Sequence, residues 1–155
     1  MTFGSELTGR EIAIVDANSA ALGVEQKQLM ESAGNAAAGV IRETADADDR
    51  IEIVTGTGNN GGDALVAARF LREYDVRVTL LGDPDGISTD IARENWDALQ
   101  RSTVETRTIG DSTAFDLDDP DVIADAMLGT GISGALREPV ATAADAINAA
   151  SATGV

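Results

Sequence analysis

Cysteine and histidine are both absent from this chain. Without cysteine there is no disulfide, no thiolate nucleophile and no sulfur-ligated metal. Without histidine the commonest general base and the commonest transition-metal ligand are missing. Chemistry must come from carboxylates, hydroxyls, backbone dipoles, Tyr74, Lys27, an arginine or a bound ion. Aromatic residues make up 3% of the chain, so no stacking platform for nucleic-acid bases is evident. Trp96 and Tyr74 stand alone on predicted helices and read as packing. Lys27 is the only lysine. No stretch approaches the ~20 apolar residues that cross a bilayer, and Met1–Glu6 lacks the basic and apolar regions of a secretory signal.

Acid is plentiful by contrast. Asp and Glu number 27 against 11 Lys and Arg, a formal charge of −16. That balance argues against nucleic-acid backbones and anionic membranes as partners. The acids are spread along the chain, the pattern of a surface kept soluble in concentrated salt, which points to a halophilic, cytoplasmic source. In molar salt the Debye length falls to ~3 Å, so this charge need not repel a phosphorylated ligand. The 155 residues fit one domain, 1–155, with room for a proper core.

Apolar spacing sets the elements. It predicts helices from Leu7 to about Leu22 and from Glu25 to Glu43, then an alternation of strands and helices. Strand Ile51–Thr55 leads to helix Gly62–Tyr74, with Leu65, Ala68, Phe70 and Leu71 inward. Strand Val76–Leu81 leads to a helix capped by Ser88 and reaching about Arg101. A short strand Val104–Thr108, a polar connection and strand Val122–Leu128 follow, and Pro139 opens a helix running to about Ala150. Such alternation means βαβ units: an α/β, Rossmann-like three-layer sandwich with a mainly parallel sheet and two N-terminal helices. In the strand order 3-2-1-4-5 the first and fourth strands lie side by side at the switch point. The chain stops at Ser151–Val155, where another strand should begin, and we expect the last strand or strands to be missing.

The two strands at the switch point each run into a glycine loop. One is Gly56-Thr57-Gly58-Asn59-Asn60-Gly61-Gly62-Asp63, the other Gly129-Thr130-Gly131-Ile132-Ser133-Gly134. Ligands bind at the carboxyl ends of strands in such sheets. Two facing loops would floor a pocket with backbone N–H groups, suited to a nucleotide or another phosphate-bearing ligand. Gly56 to Gly61 satisfies G-x-G-x-x-G, and Asp83 after the next strand would serve as the ribose-binding acid of a nicotinamide dehydrogenase. That reading leaves the paired asparagines and Gly61-Gly62-Asp63 unexplained. A Walker A loop is excluded, because no Gly-Lys-Ser/Thr follows.

Asp63 falls in the predicted first helical turn, where its charge suits the dipole. Asp125 lies inside an otherwise apolar strand, and an unpaired buried charge is costly, so it should reach a partner, an ion or a ligand. Oxygens from Asn60 and Asp125 would suit a hard cation such as potassium, sodium or magnesium. Met30-Glu31-Ser32-Ala33-Gly34-Asn35 is a small-residue helical segment that allows close packing, with Gly34 and Asn35 as further candidates to line the cleft.

In this order and spacing, Met30-Glu31-x-Ala33-Gly34, Gly58-Asn59-Asn60-Gly61-Gly62-Asp63 and Asp125-x-x-x-Gly129-Thr130-Gly131 resemble the NAD(P)H-hydrate epimerases, the YjeF N-terminal domain family. The resemblance implies a Rossmann-like fold and interconversion of the R and S epimers of hydrated NADH or NADPH (NADHX, NADPHX). It implies substrate contacts from Asn59, Asn60, Gly61, Gly62 and Asp63, and from Gly129, Thr130, Gly131, Ile132, Ser133, Gly134 and Ala135. It implies a potassium ion on Asn60 and Asp125. We expect Asp125 to act as the catalytic acid or base, or equally to be only an ion ligand, because C6 of the hydrate is a carbinolamine carbon that one carboxylate beside a cation can scramble. The family's Asp-x-Pro-Ser-Gly motif on the next strand is not reached, and Ala64 stands where the family usually has glycine. Many relatives fuse a dehydratase domain, so a fused or separate dehydratase is an expected partner, and the two N-terminal helices offer a homodimer surface. Two other classes remain open: an NAD-dependent dehydrogenase domain using Gly56, Gly58, Gly61 and Asp83, and a non-catalytic nucleotide- or protein-binding module of the same fold.

Overall fold

The computed structural model describes residues 8–130 and 132–155. Helices α1 (Gly9–Ala21) and α2 (Gln26–Thr44) precede β1 (Arg50–Thr55), α3 (Asn59–Phe70), β2 (Asp75–Leu81), α4 (Asp90–Gln100) and β3 (Glu105–Ile109). Then come β4 (Val122–Ala126), α5 (Val140–Ala149) and β5 (Thr153–Gly154). The five strands form one parallel sheet in the order β3-β2-β1-β4-β5. The expected switch point is therefore present: β1 and β4 are neighbours, with Thr55 opposite Ala126 at their carboxyl ends. A fifth strand, expected to be missing, pairs with β4 through Thr153 and Gly154.

A parallel sheet covered on both faces needs apolar residues on both. Ile51, Ile53, Val78, Leu80, Val122 and Ala124 face α2, α3 and α4, where they meet Ile41, Leu65, Val66, Trp96 and Leu99. Val54, Leu81, Ile109 and Ile123 face the other way, against Leu117 and the Ala143 face of α5. Each buried aliphatic of this kind contributes roughly 1.5–3 kcal/mol. The helical layer is tightened at Gly34, where an added Cβ would stand 2.4 Å from Val66 Cβ and 2.7 Å from the Asp63 carbonyl oxygen. The close packing expected of the small-residue segment is thus a contact between α2 and α3, while Asn35 is exposed.

The second face carries an ion network that the sequence pattern did not announce. Glu52, 1% exposed, accepts from Arg77 Nε at 2.6 Å and from Thr79 Oγ1 at 2.5 Å. Arg107 donates through Nε to Thr79 Oγ1, and Arg50 and Arg77 both reach Asp118. Burial pushes the Glu52 carboxyl up from its usual value, and the Thr79 and Arg77 bonds pull it back. The irregular β3–β4 connection closes over this face, and Arg77 caps its Leu117 carbonyl at 2.8 Å.

Several boundaries differ from the sequence expectation. Helix α3 begins at Asn59, so the Asn-Asn-Gly-Gly run forms its opening turn and Asp63 falls beyond that turn. The dipole role expected for Asp63 does not hold. Phe70 is on the solvent side, 37% exposed. Thr89, not Ser88, caps α4 by accepting from the Ala92 N–H. Strand β4 ends at Ala126 because the Asp125 side chain takes the next free amide, Met127 N–H, at 3.0 Å. Pro139 sits at the N-cap of α5, and the Glu138–Pro139 bond is cis. Leu7 lies outside the described residues.

Candidate active site

The two glycine loops meet at the carboxyl ends of β1 and β4. Gly56 N–H donates to the Ala126 carbonyl at 3.3 Å, and a Cβ on Gly56 would lie 2.3 Å from the Met127 carbonyl oxygen. A Cβ on Gly61 would lie 2.1 Å from the Gly56 oxygen. These two glycines are therefore required by backbone approach within the protein. Gly58 has open space beside it and lines the cleft with the first turn of α3, whose leading N–H groups have no intrahelical acceptor. Asn60 bridges the loops: its Nδ2 donates to the Leu128 carbonyl at 2.9 Å, and a Cβ on Gly129 would lie 3.7 Å from Asn60 Cβ.

Two cavities open there. The first, about 780 Å³, is lined by Gly58, Asn59, Asn60, Gly61 and Asp63 from α3, and by Met127, Leu128, Gly129, Thr130 and Ile132. Its remaining wall is α1, through Gly9, Ile12, Ala13 and Asp16. The second, about 680 Å³, is lined by Leu128, Ile132, Ser133, Gly134, Ala135 and Leu136, and by Arg137, Glu138 and Val140 at the start of α5. Leu128 and Ile132 belong to both, so the cavities are lobes of one cleft. Helix α1 is held at its start by Gly9 lying against Thr130 and buries no side chain of its own.

The carboxylates of the first lobe oppose one another. Burial lifts the Asp63 carboxyl from 3.8 to about 6, and the charge of Asp16 on α1 adds to the rise. Sequence reasoning missed Asp16 and Arg137. For Asp16 a signal was available: Gly9, Ile12, Ala13 and Asp16 fall at helical spacing along one face. Arg137 stands only three residues past Gly134 and had no motif to mark it.

Most residues expected from the motifs converge, and among the described ones Gly62 and Asp125 do not. Asn59, Asn60, Gly61, Asp63, Gly129, Thr130 and Ile132 line the first lobe, and Ile132, Ser133, Gly134 and Ala135 the second. Gly62 is buried on the far side of α3, where a Cβ would meet Met30 Cε at 2.7 Å and Ala92 at 3.0 Å. It packs helices together and lines neither lobe. Asp125 is exposed rather than buried, lines neither lobe, and spends Oδ1 on Met127 N–H. Its chemistry is that of an acceptor at a strand end, so the argument from buried charge fails for it. Gly131 lies outside the described residues. Asp83, the acid of the dehydrogenase reading, accepts from Asp85 N–H at 2.9 Å and so caps a 3-10 turn.

Comparison with known proteins accounts for this arrangement. The profile of the family described as YjeF-related protein N-terminus matches residues 26–155. The chain belongs to that family. A protein of Cenarchaeum symbiosum named NAD(P)H-hydrate epimerase is 44% identical over 146 residues, covering 92% of this chain and 68% of the relative. One of the same name from Nitrosopumilus maritimus is 41% identical, with the same coverage. A bifunctional NAD(P)H-hydrate repair enzyme of Hyperthermus butylicus is 38% identical over 98% of this chain, which spans 29% of that longer protein. Among solved structures, the yeast protein ynu0 superposes with a TM-score of 0.77 at 22% identity, over 98% of this chain and 70% of that one. The yeast structure supports the YjeF-type fold: a parallel sheet flanked by helices. No helix among the described residues is long and apolar enough to cross a membrane.

Proposed function

We propose that this YjeF-family chain epimerises hydrated NADH and NADPH at C6 of the nicotinamide ring, as a repair enzyme for damaged cofactor. The carrying observation is the junction of the two loops, Asn60 against Leu128 and Gly129, in a chain 44% identical to a named NAD(P)H-hydrate epimerase. At C6 the hydroxyl and ring nitrogen share one carbon. Protonating the hydroxyl lets water leave and yields an iminium, and water returning to the opposite face with loss of a proton gives the other epimer. One group that donates and recovers a proton near neutral pH suffices.

Asp63 fits that task better than Asp125, which we had expected to fill it. Asp63 lines the first lobe and is held near pH 6 by burial and by Asp16. For Asp125 we keep the role of ion ligand. Its carboxylate and the Asn60 amide grip adjacent peptides, at Met127 and Leu128, and both supply oxygen donors of the kind a potassium ion takes. The sequence has no histidine or cysteine, and an oxygen-only donor set suits a hard cation better than a transition metal. Such an ion would supply positive charge beside the leaving and returning oxygen.

The test is chromatographic. Pure R-NADHX incubated with the protein in molar potassium chloride should yield S-NADHX faster than buffer alone, and D63N should abolish the gain. D125N should raise the potassium concentration needed and keep the reaction. Absence of any gain with the parent protein would favour the non-catalytic binding reading instead.

A further inference from the structure

The cleft is divided by charge. Its first lobe contains Asp16 and Asp63 and no cation, whereas Arg137 is the one cation lining either lobe among the described residues. Five other basic side chains are paired: Lys27 with Glu94, Arg42 with Glu73, Arg50 with Asp118, Arg69 with Glu31 and Arg77 with Glu52; Arg10, Arg72 and Arg101 have no such partner among the described residues, and none of them lines the cleft. Arg137 makes no ion pair and no side-chain hydrogen bond among the described residues. Its neighbour Glu138 also lines that lobe but is engaged, accepting from Thr142 N–H at 3.3 Å and Thr142 Oγ1 at 2.8 Å. An uncommitted guanidinium at the edge of a cleft, in a protein of charge −16, calls for an anionic ligand group.

Resting on the epimerase reading above, we propose that Arg137 binds the pyrophosphate of the hydrated dinucleotide, seating its adenosine half in the second lobe. The hydrated nicotinamide then lies in the first lobe, beside Asn60 and Asp63. Two observations orient it this way. Pyrophosphate carries two negative charges, which the paired carboxylates of the first lobe repel and a guanidinium fork matches. The second lobe also offers Leu128, Ile132, Leu136 and Val140 as apolar walls for an adenine. The ridge shared by the lobes is where the two halves join.

The test uses R137Q and R137K, since an exposed, unpaired arginine can be replaced without disturbing the fold. KM and kcat are measured with NADHX and NADPHX, and binding of ADP-ribose is followed by calorimetry. With R137Q, KM should rise about 10- to 100-fold for both substrates, the range of a charge-assisted hydrogen bond. The kcat values should stay within about twofold, ADP-ribose should weaken by the same factor as KM, and R137K should recover part of the loss. Unchanged KM and ADP-ribose affinity overturn the proposal. An effect confined to NADPHX overturns it too, because it assigns Arg137 to the 2′-phosphate. If the parent protein fails to epimerise yet binds ADP-ribose through Arg137, the epimerase reading falls and the phosphate site stands. A parent protein that binds no ADP-ribose removes the site.

Discussion

Replacing Asp63 with asparagine should make the protein more stable at neutral pH while silencing it. Burial and the facing Asp16 raise the Asp63 carboxyl from 3.8 to about 6, so its ionised form is worse placed in the folded chain than in the unfolded one. An acid with a raised folded value subtracts stability as pH climbs from about 3.8 through 6, and the penalty is complete above that range. Full conversion of the rise gives an upper bound of about 3 kcal/mol. Asp63 opens onto the cleft, and solvent screening reduces this to about 1 kcal/mol, or roughly 2–4 °C in Tm for a chain of this size. Asparagine keeps the shape and cannot ionise. Urea unfolding of parent and D63N in the same potassium chloride buffer should show the variant ahead at pH 7.5 and level below pH 4. D16N should show a smaller gain, since burial is the larger cause. A D63N protein no more stable than its parent at pH 7.5, or ahead by the same margin at every pH, would refute the reasoning.

Three further outcomes are expected. G34A forces a Cβ to within 2.4 Å of Val66, so α3 must shift. The cost is about 1–3 kcal/mol in urea, and a slower epimerisation follows because Asp63 rides on the same helix. E52A leaves Arg77, 6% exposed, without its carboxylate. Unfolding free energy should drop by about 3–5 kcal/mol, with the cleft chemistry of folded protein unaffected at low temperature. A net charge of −16 should make Tm climb between 0.1 and 2 M potassium chloride as self-repulsion is screened, and a flat profile in differential scanning fluorimetry would remove the halophilic reading.

The alternation of apolar runs with glycine breaks was enough to place the sheet order and to bring Gly56 and Gly129 to one rim. Residues 59–63 were harder. The glycine run reads as a loop up to Gly62, but the helix already starts at Asn59, and Gly61 and Gly62 are glycine within it because neighbouring backbone and Met30 leave no room for a Cβ. Asp125 misled for a related reason. Strand pattern tells which face a residue is on, not how much covers that face, and α5 leaves this end of β4 open. Asp16 lies 14 residues before the Met30 segment and 40 before the Gly56 loop, and Arg137 three past Gly134; both join the site through the packing of α1 and α5 around it. The Glu52 network was hidden because a charged residue alternating with isoleucines looks like an ordinary half-exposed strand.

That network also bears on how the chain finds its pairing. The apolar rows of β1 and β2 are nearly periodic, so sliding one strand along the other by two residues would still bury isoleucine against valine. Glu52 breaks the degeneracy. In the native register it stands opposite Arg77 with Thr79 next along, whereas a slip in one direction sets it against Asp75. That slip thus carries an electrostatic penalty that the apolar contacts cannot detect, and the two buried charges, Glu52 and Arg77, act as an index mark for alignment. The heights of the Gly56 loop and of the turn after β2, which are joined where Ser88 N–H donates to the Thr57 carbonyl, follow from that alignment.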